Sequence, residues 1–452
     1  MSEKAVSRPR APAVFTQGSL TRHVLVMTAT GSVGLVAVFM VDLLSLIYVS
    51  WLGEPALTAG VGFASQILFF SISVNIGLSI GVSALVARAI GAHERPRAQR
   101  LAASGLTHSF VIACVVGVAL FIFRRPALEL LGAQGAALEA GDLYLAWSMP
   151  ANGLMVLGMV LSGLLRAVGD ARRSMYVTLF GALVTAVIDP VLILGLGMGV
   201  RGAAIATVVS RIVWVGVGLW GAVHVHGIVG RPERKAVVRD LPAIMKIAFP
   251  AILTNLAAPV ANAYAVRAMA EFGEAAVAAG AIIDRVVPVA FVVLFAMSGI
   301  MGPIISQNYG AKLFDRVRGA LTTCFTFAAV YSLIVWLLLI LTSGVIVQLF
   351  SAKGETARLV IFFCDYGALA WVFLGCIFAA NAAFNNLDYA FLSTLFNWGR
   401  ATLGTVPFVA LGAHYLGPEG VILGVIVGAA IFGVAAIVTA YGVAGRIARM
   451  KS

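Results

Sequence analysis

The chain has 452 residues, of which 61% are hydrophobic and only 11% charged. That much apolar sequence, gathered in repeated runs of about 20 or more, excludes a water-soluble domain and marks membrane helices. The formal net charge of +12 does not point to nucleic acid, because Lys and Arg sit mostly in short loops between apolar runs, where they set orientation.

Residues 1–19 are mostly polar or small, with Lys4, Arg8 and Arg10 and the helix breakers Pro9 and Pro12. They lack the apolar core of a signal peptide and read as a flexible cytoplasmic tail. Twelve spans are predicted. The first six fall near 22–51, 57–87, 101–123, 140–165, 174–197 and 202–226. The second six fall near 242–271, 275–306, 318–349, 358–385, 388–413 and 419–445. Basic residues crowd alternate loops: Arg88 to Arg100, then Arg166 to Arg173, then Arg231 to Arg239, then Lys312 to Arg318. The opposite loops carry only Arg124, Arg125, Arg201, Lys353 and Arg358. The positive-inside rule then puts both termini in the cytoplasm. The expected location is the plasma membrane, the inner membrane of a bacterium.

The polar stretch 227–241 divides the chain into an N-lobe at 20–226 and a C-lobe at 242–445, with a second cytoplasmic tail at 446–452. The halves repeat. LGEPALTAG at 52–60 matches FGEAAVAAG at 272–280, and Gly91-Ala92 matches Gly310-Ala311. Thr178-Leu179-Phe180 matches Thr394-Leu395-Phe396, and Gly199-x-x-Gly202 matches Gly417-x-x-Gly420. The offsets are 216–220. Six spans per repeat keep both halves in one orientation, so the pseudo-two-fold axis runs along the membrane normal. The fold class is therefore an all-α integral membrane protein of twelve helices in two six-helix bundles.

The run 35–60 carries one acid, Asp42, ten residues before Leu52. That is ~15 Å deep, near the middle of a ~30 Å hydrocarbon core. A carboxylate there costs roughly 2.5–3.5 kcal/mol on an insertion scale and marks an ion or proton pathway. The competing reading is a structural Asp bonded to a neighbouring helix. In TAVIDPVLI at 185–193, Asp189 lies at similar depth in the fifth span. Pro190 removes a helix hydrogen bond and is expected to act as a hinge. Thr185 shares the Asp189 face, and Thr207 in the sixth span is within reach of the same cavity. The repeat places Asn262 opposite Asp42 and Thr405 opposite Asp189. The second half thus lacks both acids, and ion coupling is assigned to the first half.

Asn262, Asp284, Arg285 and Asp365 are candidates for a substrate cleft, and Asp365 is the one placed to bind a cationic substrate. His224 and His226 do not share a helix face, so no metal site is expected. The four Cys lie inside apolar runs and read as small buried hydrophobes. No phosphate-cradling Gly-rich loop precedes Lys-Ser or Lys-Thr, so the chain has no ATP motor. No cofactor and no enzymatic activity are expected.

LGEPALTAG after an Asp-bearing helix, GDARRSM at 169–175, IDPVLILGLGMGVRGAAIAT at 188–207, FGEAAVAAG and QNYGA at 307–311 together resemble the multidrug and toxic compound extrusion (MATE) family. Asn262 in place of a seventh-span acid resembles the DinF-like branch. Thr185 stands where the family commonly has Asn, and the first span lacks the usual proline. The resemblance implies two lobes around a V-shaped cleft, acting as a monomer by alternating access. It implies export of organic cations or amphipathic drugs in exchange for H⁺ or Na⁺. It further implies that Asp42 and Asp189, with Tyr144 and Thr207, form the protonation or cation site. The rival reading is a flippase for a lipid-linked or polysaccharide substrate. It would need a cationic cleft, for which Arg211, Arg267, Arg285 and Arg400 are available. A non-transporting scaffold or receptor leaves the two matched-depth acids unexplained.

Overall fold

In the computed structural model, which describes residues 13–451, the chain is helical from end to end. The first half holds α1 (Leu20–Ser50), α2 (Pro55–Gly91), α3 (Arg95–Ile122), the short α4 (Arg124–Leu130), α5 (Gly135–Ser148), α6 (Asn152–Ala167), α7 (Ala171–Pro190) and α8 (Gly199–Leu219). The second half holds α9 (Arg234–Ala270), α10 (Glu274–Ala290), α11 (Val292–Gly310), α12 (Phe314–Leu349), α13 (Gly354–Asp365), α14 (Ala370–Asn386), α15 (Ala390–Gly399) and α16 (Val406–Lys451). Among the described residues, eleven helical stretches are long and apolar enough to cross a membrane. The last, Ala390–Met450, reverses at Gly417, whose φ of 65° and ψ of −145° break the helix just before Pro418. Its two arms pack back on each other through Gly404, Gly412, Gly420 and Gly428, so the spans number twelve. The protein is an integral membrane protein.

Local chemistry sets the breaks. Ser19 caps α1 by accepting from the Arg22 amide, and Gly53 in left-handed backbone ends that arm. Asp170 caps α7 by accepting from the Arg173 amide. Three spans expected as single helices are interrupted. The fourth is split at Met149–Ala151, the eighth at Phe291 and the tenth at Gly367–Leu369. Pro150 and Pro288 lie at or just before two of these breaks and cannot supply the amide a continuous helix needs.

The lobes exchange material on the side of the arginine-rich loops. Val24 and Met27 of α1 are buried in the C-lobe core, while Ile244 and Ala248 of α9 are buried in the N-lobe core. α2 packs against both α9 and α11. The closest approach is a crossing of two glycines. A Cβ on Gly91 would meet the Gln307 carbonyl oxygen at 2.0 Å, and one on Gly310 would meet that of Arg88 at 2.1 Å. Side chains repeat the symmetry. Arg88 donates to the Asn386 carbonyl at 2.8 Å, and Gln307 donates to the Ala167 carbonyl at 2.7 Å. Arg88 also pairs with Asp388 at 2.8 Å and lies over the Tyr309 ring, and Tyr309 donates to the same carboxylate at 2.9 Å. This side of the molecule is closed.

Three expected boundaries are corrected. Residues 13–19 are not a free tail; residues 1–12 of that tail lie outside the described residues. Phe15 is 1% exposed in the C-lobe core, whereas Ala13, two positions earlier, is buried in the N-lobe core. The Phe15 amide donates to Gln307 Oε1 at 2.9 Å, and its carbonyl accepts from Asn308 and Arg316. The expected linker 227–241 is already helical from Arg234. Its preceding strap is bound to the N-lobe, where Gln99 donates to Gly227 and accepts from Gly230. Asp240 accepts from Arg100 and Ser104. The expected tail at 446–452 continues α16 as far as Lys451.

Candidate functional site

The first-half acids converge because α1 and α7 lie unusually close. A Cβ on Gly34 would meet Thr178 Oγ1 at 2.2 Å, so any larger residue there would have to displace the Thr178 side chain. Asp42 and Ser45 are one turn apart on one face of α1, and Thr185 and Asp189 are likewise on one face of α7. Ser45 donates to Asp189 Oδ2 across the seam. Asp42 stands one turn before Ser45, on the face of α1 from which Ser45 reaches Asp189. Past Pro190 the helix widens into a five-residue π-turn, Val191–Gly195, in which the Leu196 amide reaches back to Val191. The loosened helix follows directly on the acid.

Asp42, Ser45, Thr185, Tyr144 and Thr207 all open onto one cavity of about 430 Å³ inside the N-lobe. Thr207 donates to the Ala203 carbonyl at 3.0 Å and faces the cavity together with Tyr144. Thr185 donates to Gly181 at 3.1 Å. Apolar walls from Leu46, Leu68, Ile72 and Met155 lower the local dielectric. Asp189 itself is 1% exposed, and its second oxygen, Oδ1, is buried without a hydrogen-bond partner. Leaving a buried acceptor unsatisfied costs about 1–3 kcal/mol, more for a charged group. Two neighbouring carboxylates with one orphan oxygen are therefore stabilised by a proton or a small hard cation. Oxygen is the donor available from Asp42, Ser45, Tyr144, Thr185, Asp189 and Thr207. Among the described residues no group of three His, Cys, Asp or Glu is clustered as for a transition metal.

Sequence reasoning did not place Ser45, Arg211 or Trp214 in this coupling cavity. Ser45 follows Asp42 at helical spacing, which was the available signal. Arg211 follows Thr207 by one turn, is 6% exposed and donates to the Ser148 carbonyl at 2.7 Å. Trp214 is one turn further, lies across Gly181 and keeps its Nε1 buried without a partner.

The expected cleft residues do not form one set. Asn262 of α9 and Asp284 and Arg285 of α10 are exposed on two helices that pack together. Asp365 ends α13, where its carbonyl accepts from Trp336 Nε1 at 2.8 Å. The four arginines invoked for a cationic cleft are also dispersed. Arg211 is in the N-lobe cavity, and Arg267 lines a separate pocket with Glu271 and His414. Arg285 lies on α10, while Arg400 is buried in the C-lobe.

Outside the spans, Asp170 anchors the strap before α9. It accepts from His226 at 2.7 Å and from Arg173 at 2.6 Å. Burial opposes its charge, but the His226 and Arg173 hydrogen bonds prevail and hold its carboxyl well below the usual carboxylate range.

The MatE family model matches residues 32–191 and 250–411, together well over half the chain. The FAD transporter of Shewanella oneidensis is 28% identical over 413 residues, covering 89% of this chain and 90% of that one. The multidrug export protein MepA of Staphylococcus haemolyticus is 20% identical over 88% of this chain and 86% of its own length. A probable multidrug resistance protein, NorM of Thermotoga maritima, is 25% identical over 66% of this chain and 65% of its own. Among solved structures, the Vibrio cholerae MATE transporter VcmN in its bent form superposes with a TM-score of 0.89 at 24% identity, over 95% of this chain and 98% of that one. A MOP superfamily transporter from Pyrococcus furiosus does so at 0.87 and 23%, over 99% and 100%.

Proposed function

This chain belongs to the MATE family of membrane transporters, and we propose that it exports organic cations and amphipathic drugs by antiport with H⁺ or Na⁺. It is an efflux transporter and not an enzyme. The observation that carries the coupling assignment is the Asp42–Ser45–Asp189 cluster, with its orphan carboxylate oxygen, at the N-lobe cavity. In the plasma membrane with both termini cytoplasmic, the closed side faces the cytoplasm and the cavity is reached from outside. An ion entering from outside binds the carboxylates. It drives a change of state only by binding one state better than the other. The orphan oxygen supplies that difference if the inward-open arrangement completes its coordination. Pro190 and the π-turn give α7 the freedom to rearrange around the bound ion.

A second reading concerns the cargo. The relative named an FAD transporter matches at 28% identity over 89% of this chain, against 20% over 88% for the Staphylococcus haemolyticus MepA. A flavin dinucleotide is an anion with a flat aromatic end, and Arg211 and Trp214 supply matching groups within the cavity. The test is efflux from proteoliposomes under separately imposed pH and Na⁺ gradients, with a fluorescent organic cation in one arm and FAD in the other. Gradient-driven flux of the cation supports the leading reading. Flux of FAD alone replaces the cargo but leaves ion coupling in place.

A further inference from the structure

The eleventh span carries a buried cation that neither the coupling cavity nor the closed side uses. Arg400 is 9% exposed and lies ten residues from the start of α15, about 15 Å into the span. Its Nε is buried with no hydrogen-bond partner, and no ion pair to it is found among the described residues. It lies over none of the aromatic rings that hold Arg88, Arg124, Arg173 and Arg201.

The polar residues on its side of the eleventh span carry no negative charge. Ser393, Asn397 and Arg400 recur at helical spacing along one side of the span. Ser393 donates to Asn385 Oδ1 at 3.0 Å, and Asn397 donates to Asn381 Oδ1 at 2.9 Å. Those two amide oxygens belong to α14 and already accept from α15, which leaves the Arg400 guanidinium unanswered at the outer end of the ladder. Arg400 also opens a π-turn, Arg400–Gly404, in which Thr405 Oγ1 donates to the Arg400 carbonyl at 2.9 Å. Such turns inside helices are frequent at functional sites. A buried charge in a membrane helix is retained where something pairs with it.

We propose that Arg400 is the cationic end of an anion site inside the C-lobe, which takes chloride or the carboxylate or phosphate group of an organic solute. A guanidinium offers five donors in a planar fork suited to such groups. The site rests on C-lobe geometry alone and is independent of ion coupling in the N-lobe.

The test is thermal unfolding of the purified full-length protein in a zwitterionic buffer free of chloride, phosphate and carboxylates, titrated separately with chloride, inorganic phosphate and benzoate. A ligand that binds only the folded state raises the melting temperature in a saturable way. The expected result is such a rise with at least one anion. A response to chloride or phosphate identifies an inorganic occupant; a response to benzoate alone identifies the anionic end of an organic one. Arg400→Met is expected to give a flat titration and, before any anion is added, to melt no lower than wild type, because it removes an uncompensated charge. Arg400→Lys keeps the charge without the fork and is expected to respond about tenfold more weakly. A wild-type protein that responds to none of the three anions, or an Arg400→Met protein that responds like wild type, overturns the proposal.

Discussion

The Ser45 hydroxyl donates to the Asp189 carboxylate, and this bond ties the helix that bears Asp42 to the helix that ends at Pro190. Ser45→Ala leaves both Asp189 oxygens without a donor in a buried site. A hydrogen bond to a charged group contributes about 1.5–3 kcal/mol, so the variant is expected to change the apparent affinity for the coupling ion by roughly ten- to a hundredfold. The ion dependence of the initial transport rate measures this. An unchanged dependence would remove Ser45 from the site.

Arg88 reaches across the lobes to Asp388 and the Asn386 carbonyl on the closed side. Asp388 is 37% exposed on its side chain, so the ion pair is screened and contributes about 1 kcal/mol or less. Arg88→Gln also loses its stacking on Tyr309. The expected outcome is a several-fold rise in the fraction of molecules open on this side, read from spin-label distances between the ends of α2 and α14. Gly91→Ala should do more, since its new methyl would meet backbone that cannot swing aside.

The same latch has a defined pH response. Burial opposes the Asp388 charge, but the Arg88 cation, hydrogen bonds from Arg88 and Tyr309, and Lys246 outweigh it and hold the carboxyl below its ordinary range. Its contribution is fully present above the unfolded carboxylate value of about 3.9 and is lost only as pH falls through the lower folded value. The spin-label distances should therefore stay constant between pH 8 and pH 5. Opening within that window would show that another group controls the latch.

Phe15 plugs the seam between the two cores. Truncating a fully buried Phe costs about 3–5 kcal/mol. Phe15→Ala is expected to release residues 13–19 and speed amide hydrogen exchange there and at the end of α11, where Gln307 and Asn308 lose their bonds to that segment. Unchanged exchange at α11 would show that the segment is a passenger.

These sites were unequally legible in the sequence. Asp42 and Asp189 stood out because an acid in an apolar run is costly, and their depth followed from the helix rise alone. The twelve spans and the two-fold repeat followed from apolar runs and short matched motifs. Phe15 gave no such signal. It lies in a Pro-broken polar segment with no periodicity, and its partners Gln307 and Arg316 are about 300 residues away. The strap before α9 reads as a linker for the same reason, since its bonds to Gln99 are tertiary. The interruption at Phe291 was hidden because the apolar run continues through it.

The central claim is that Asp42 and Asp189 couple ion entry to export. The direct measurement is substrate flux in proteoliposomes under separate pH and Na⁺ gradients, with wild type beside Asp42→Asn and Asp189→Asn. The account predicts flux driven by one gradient in wild type and lost in either variant, with substrate binding by the purified variants retained. Gradient-driven flux that survives both substitutions would contradict it.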